Sequence, residues 1–361
     1  MILTRGARIT GAVLCTLLAV IVAGWLVRDV KAVEEPADLV RYWAGYYDVR
    51  LSAVPTTSAN DVALLVVYVV AAFAALRSSV AATALVATGV VTLAMRLPGL
   101  WSIGESAMSA RFADDLRTRA LICAFAALAA GLALVITAGA GRRPPRDFSE
   151  RTPTRPGPGA SATAFLLLGA SGAVVIAWEI RQVVRFPDIF PEWYVGGERL
   201  FQGLIDPPPG WGDAVIALLC LFTAVSALSR AVHARPFGLI AVGLLLTGGV
   251  TGVSRAVHYK MLDHFGDLPI EDQLTVVTWF FEAAVAVVVL IVLARRGSAD
   301  APDRPHQGHG QGYGPPPGVF GPPPPSQPPP GGGAGGPGTM LRAAPGGRSR
   351  RAHHPVRSCT G

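Results

Sequence analysis

Charge, lysine and loop cysteine are all scarce in this sequence, and each shortage excludes something. Acidic and basic side chains make up 15% of the 361 residues, where soluble domains carry about 25%. The deficit is uneven. Long stretches hold no charge, and the charges collect between them, as in a chain that meets lipid in some segments and water in others. Lys31 and Lys260 are the only lysines, so arginine carries the net charge of +7. Those arginines flank apolar segments and fill the last stretch of chain. The basic excess therefore reads as membrane topology, and no nucleic-acid partner is expected. Cys15, Cys123 and Cys220 fall within apolar segments and Cys359 in the tail, which excludes a framework of loop disulfides. Cys15 is also a poor lipoprotein site, because Leu14 stands where a small residue is wanted. A phosphate loop, a His-Glu-x-x-His zinc motif, a nucleophile elbow, a redox cysteine pair and a Rossmann fingerprint are all missing. The sequence therefore predicts no cofactor and leans away from an enzyme.

Hydrophobic residues, at 51% of the chain, are what is abundant. A spanning helix needs about 20 mostly apolar residues, and eight stretches qualify: 9–27, 61–77, 80–96, 119–140, 162–179, 213–229, 237–254 and 274–294. The second, third and sixth are short, with Leu97–Trp101 or neighbouring loop residues available to extend them. The first, preceded by Arg5 and Arg8, has the look of a signal peptide, but no small-x-small cleavage site follows before Asp29. It is expected to stay as an anchor.

Arginine sets the orientation. Arg5, Arg8, Arg77, Arg142, Arg143, Arg146, Arg151, Arg155, Arg230, Arg235, Arg295 and Arg296 all fall in alternate connections. In the opposite loops, 28–60, 97–118, 180–212 and 255–273, acids match or outnumber bases. The positive-inside rule then places both termini in the cytoplasm of a multi-pass plasma-membrane protein.

An internal repeat is also legible. Residues 41–77 lie on 193–229 without a gap, setting Tyr42 on Tyr194, Gly45 on Gly197, Pro55 on Pro207, Asp61 on Asp213, Ala75 on Ala227 and Leu76 on Leu228. One further residue of shift sets Trp25 on Trp178 and Arg28 on Arg181. Residues 89–96 match 248–255, ending in Arg96 and Arg255, and Asp114–Thr118 matches Glu271–Thr275. The expected fold class is an all-α integral membrane protein of two parallel four-helix repeats, 1–140 and 161–296. An even number of helices per half relates them by a pseudo-twofold axis along the membrane normal. Residues 141–160 form a Pro/Arg-rich cytoplasmic linker. From Gly297 to 361 the chain is rich in Pro and Gly, with too little apolar surface to fold, and is expected to be disordered. Its closing arginines, Arg342, Arg348, Arg350, Arg351 and Arg357, are expected to contact anionic lipid.

Few residues offer chemistry. Glu282 is the one carboxylate deep inside an expected span, where an acid usually faces a partner or water. It reads either as a proton- or cation-binding group or as the structural partner of Arg255 or Arg96. Those arginines, like Arg28 and Arg181, also suit snorkelling to headgroups. Asp61 and Asp213 follow turn residues and read as helix caps. His258, Asp263, His264 and Asp267 form a polar set in the last outer loop, with metal-ligand types but no metal-site spacing. Tyr42, Trp43, Tyr46, Tyr47, Trp193 and Tyr194 read as aromatic anchors of interfacial helices. Gly248 and Gly252 make a Gly-x-x-x-Gly packing step. The functional expectation is a non-enzymatic envelope component or interaction protein with protein partners in the cell envelope. The alternative is a small-solute, proton or cation transporter or channel, and a weaker one is a membrane enzyme with its site at the outer face.

Overall fold

Every apolar stretch folds as a helix, and most of these helices run past their stretch into polar residues. The computed structural model describes residues 2–46, 48–49, 51–144, 155–200 and 202–295. The tail expected to be disordered, 297–361, and residues 145–154 of the linker lie outside them. The helices, in chain order, are α1 Arg5–Ala32, α2 Pro36–Trp43, α3 Ala59–Arg77, α4 Ala81–Arg96, α5 Gly99–Ser102, α6 Ser106–Arg111, α7 Asp114–Ala140, α8 Pro158–Arg185, α9 Phe190–Val195, α10 Pro209–Leu228, α11 Ala234–His258 and α12 Ile270–Ala294.

Eight of these segments are long and apolar enough to cross a membrane, the pattern of a polytopic membrane protein. In hydrocarbon the helix is the form that pairs every backbone amide within one segment. The ends extend because polar residues there suit helix termini. Thr4 caps α1 by accepting from the Ala7 amide. Asp114 and Asp115 open α7, and Glu271 and Asp272 open α12, beside the positive end of the helix dipole. At Pro98, which lacks an N–H, α4 gives way to α5, and 81–102 together make one span of 22 residues.

In the first half α1 packs on α3 and α7, and α4 packs on the same two, closing a ring of four helices. In the second half α8, α10, α11 and α12 close a ring in the same order. The halves meet where α11 lies against α3 and α4, and α10 against α4. Leu18, Leu64, Leu85, Leu134, Leu168, Leu244 and Leu293 fill the buried interior. The outward faces are apolar too: Val13, Phe73, Ile122, Leu166 and Leu218 are each more than half exposed, a surface suited to lipid.

Glycine permits the closest helix contacts. A Cβ on Gly89 would stand 2.6 Å from the Gly131 carbonyl oxygen between α4 and α7. On α11, Gly252 meets the Trp279 ring and Gly249 meets the Ala283 backbone, where a Cβ would lie 2.6 Å from the amide nitrogen. The packing step therefore uses Gly249 with Gly252. Gly248 takes no part in it, since a Cβ there would meet only the Glu282 carboxyl, 3.7 Å away.

The β1–β2 pair and the polar loops lie at opposite ends of the bundle. At the near end, β1 (Ile2–Leu3) pairs antiparallel with β2 (Arg142–Arg143). There the Arg8 Nη1 donates to the Leu76 carbonyl and Arg235 donates to the carbonyls of Leu293 and Arg295. The far end carries α2, α5, α6, α9 and the loops around them.

Candidate functional site

Among the described residues the charged side chains that the bundle buries, Asp29, Asp61 and Arg96, all lie at the far end of the first half, where they form one network. Asp29, in the last turn of α1, is fully buried. Its carboxyl accepts hydrogen bonds from the amides of Thr56 (2.9 Å) and Thr57 (2.8 Å) and from their hydroxyls (2.8 and 2.6 Å). That grip fixes the turn leading into α3. One residue later Ser58 and Asp61 form a capping box, with the Ser58 amide donating to Asp61 Oδ2 at 2.9 Å. Asp61 thus caps α3 as its position predicts, and its other oxygen takes the Nη2 of Arg96 at 2.6 Å. Arg96 is only 6% exposed. Its Nη1 donates to the Ile205 carbonyl, again at 2.6 Å, and Ile205 belongs to the other half of the chain.

That last contact belongs to a reciprocal exchange. Residues 196–200 and 202–208, strap B, leave the second half and lie on the first. The Ile205 amide donates to the Thr56 carbonyl (3.1 Å), and Ser58 Oγ donates to Asp206 Oδ1 (2.7 Å). Arg111 donates to the carbonyls of Leu200 and Glu198. Leu204 is buried with Trp25, Ile103 and Phe112. Gly203 passes so close that a Cβ would stand 2.9 Å from the Thr56 carbonyl oxygen. Strap A, the stretch just after α2 that carries Gly45, Tyr46 and Asp48, reaches from the first half to the second, and the chain then returns to Asp29 at Thr56 and Thr57. Tyr46 hydrogen-bonds Ser254 (2.7 Å) and stacks on His258, with ring centres 3.9 Å apart. Asp48 meets His258 Nε2 and the Tyr259 hydroxyl, each at 3.2 Å. The hydrogen bond from His258 holds the Asp48 carboxyl below the usual carboxylate range. Gly45, at φ +76, lies against the Arg255 side chain.

The second half handles its acids differently. Glu179 of α8 accepts from the Tyr194 hydroxyl (2.6 Å) and the Trp193 indole (3.3 Å). The Asp213 carboxyl of α10 is in hydrogen-bonding reach of Glu179 and feels the charge of Glu282 on α12. The Trp178 indole donates to Thr278 Oγ1 at 3.1 Å and ties α8 to α12 one turn from Glu282. Asp213 does not cap its helix. Pro208 is the N-cap, without a side-chain bond, and Asp213 stands a turn inside. Asp61 in the first half is paired with a guanidinium, whereas its counterpart in the second half faces another acid.

The comparisons with known proteins leave this geometry to speak for itself. The chain matches no family model, no curated protein and no solved structure.

The residues singled out from sequence separate into three places. Arg96 sits on Asp61, and Arg255 lies over the Trp279 ring at 4.5 Å. Glu282 lies beside Gly248, and among the described residues no ion pair joins it to either arginine. His258 turns to Asp48, while Asp263, His264 and Asp267 are exposed on the loop that follows α11. Among the described residues no group of three His, Cys, Asp or Glu side chains is placed to hold a metal ion. Tyr42 and Trp43 end α2, and Trp193 and Tyr194 lie in α9, while Tyr47 is outside the described residues. Arg28 donates to Asp29 and the Val54 carbonyl, and Arg181 to Glu271, so both have protein partners at the far end. Asp29, Glu179 and Asp206 were not singled out from sequence, although Asp29 adjoins Arg28 and Glu179 adjoins Trp178, both repeat matches.

Proposed function

We propose that this chain is a non-enzymatic plasma-membrane component, with both termini cytoplasmic and its far end presented outside to protein partners in the cell envelope. The observation that carries this reading is the reciprocal strapping. Each half's longest far-end loop is engaged on the other half, so the polar groups there brace the surface instead of lining a solute path. The same exchange supports two parallel repeats, 1–140 and 161–296. Straps A and B, the ring order of the helices, and the pairs Asp61/Asp213 and Arg96/Arg255 all recur in register. The linker and the tail from 297 onward lie on the cytoplasmic side in this topology, where the closing arginines meet the anionic inner leaflet.

A second reading, a proton or cation transporter, is favoured by one observation: acids from α8, α10 and α12 approach one another in the second half. Purified protein in proteoliposomes decides between the two. The first reading expects no proton or monovalent-cation flux above protein-free vesicles. It also expects Glu282→Gln to keep wild-type thermal stability within about 1 kcal/mol, because the amide preserves shape and hydrogen bonding and no ion pair is broken. A wild-type flux that vanishes in a fully stable Glu282→Gln protein overturns it and puts transport first.

A further inference from the structure

Asp206 is the acid of strap B that bonds Ser58 of the first half, and with Asp61 it makes two carboxyls that face one guanidinium, that of Arg96. Ser58 Oγ donates to it, and Gln202 Nε2 holds its backbone carbonyl at 2.6 Å. The charged and titratable groups that face it are Asp61 on α3, Arg96 on α4 and Tyr42 on α2. Arg96 directs one nitrogen to Asp61 and another to the Ile205 carbonyl. Among the described residues no cation forms an ion pair with Asp206. A charged Asp206 would therefore stand beside the Asp61 carboxylate, sharing an arginine that is already engaged.

We propose that Asp206 is a proton-operated latch, in which the protonated side chain seats strap B on Ser58 and Thr56 and the ionised side chain loosens it. Burial first, and the Asp61 charge second, push the Asp206 carboxyl from its ordinary 3.8 up to about 8. A freed strap exposes Asp206 to water, where the ordinary value returns. Docking thus takes up a proton. It is strongest below the ordinary value and weakens as pH rises, by up to about tenfold per pH unit, until the docked group itself ionises near 8. The latch goes beyond the proposed function and holds whichever side of the membrane the far end faces.

Hydrogen exchange on the full chain in detergent tests it, read at the Ile205 amide that bonds the Thr56 carbonyl. After correction for intrinsic exchange, protection at Ile205 is expected to fall by more than about tenfold between pH 6 and 8. The Thr4 amide, bonded to the Gly141 carbonyl at the near end, is expected to hold steady. Asp206→Asn keeps the acceptor for Ser58 and cannot ionise, so its profile is expected to be flat at the acid level. An equal fall in Asp206→Asn overturns the latch, as does a flat wild-type profile. Should the variant fail to fold, the wild-type profile decides alone. A fall at Ile205 with Thr4 unchanged supports the proposal, and a common fall at both amides refutes it.

Discussion

Arg96→Met is expected to lower stability by about 3–5 kcal/mol, since removing one member of a buried ion pair strands the other. Arg96 and Asp61 are both buried and 2.6 Å apart. Methionine fills much of the volume but leaves the Asp61 carboxylate with only its capping bond from Ser58. The Ile205 carbonyl loses its donor at the same time, so strap B loosens together with α4. Thermal unfolding in detergent reads the loss. Asp61→Asn combined with Arg96→Met is expected to recover part of it, because the pair is then replaced rather than broken. An Arg96→Met protein within about 1 kcal/mol of wild type would show that the pair is not formed.

Asp29→Ala is expected to cost about 4 kcal/mol or more. The substitution removes the acceptor for two buried amides and two buried hydroxyls at Thr56 and Thr57. Each buried donor left without a partner costs roughly 1–3 kcal/mol, and water reaching the site returns some of that. Asp29→Asn is expected to fall between alanine and wild type, because it keeps one carbonyl oxygen and turns an NH2 towards donors. The same unfolding measurement checks both variants, and the order Asn worse than Ala would contradict this account of the turn.

The sequence makes the eight spans legible for a physical reason. Hydrocarbon-length apolar runs have few other uses, and α1, α8 and α12 lie where hydropathy predicts them. Their ends are less legible, because Arg5, Asp114 and Glu271 are polar yet helical. Whether such residues join a helix depends on capping and dipole terms of about 1 kcal/mol or less. Burial misled in the case of Glu179. The apolar stretch stops at residue 179 but α8 runs on to Arg185, so the acid lies inside the helix. Asp61 and Arg96 each stood out, but their pairing did not. The repeat offers Asp213 and Arg255 in matching places, and there Arg255 stacks on Trp279 and Asp213 faces Glu179. Equivalent letters thus carry different partners, a distinction made by tertiary contacts. The straps were invisible for a related reason: Asp48 and Asp206 read as ordinary loop acids until each is seen on the opposite half.

Membrane topology underlies the functional account, and cysteine labelling in intact cells tests it most directly. In a version with Cys15, Cys123, Cys220 and Cys359 replaced, single cysteines are placed at Ser52 and Gly266 on the far end, and at Ser149 and Ser326 in the linker and tail. An impermeant thiol reagent is expected to label Ser52→Cys and Gly266→Cys, and to reach Ser149→Cys and Ser326→Cys only after the cells are opened. Labelling of Ser149→Cys from outside, with Gly266→Cys protected, would contradict the topology and the outward-facing surface built on it.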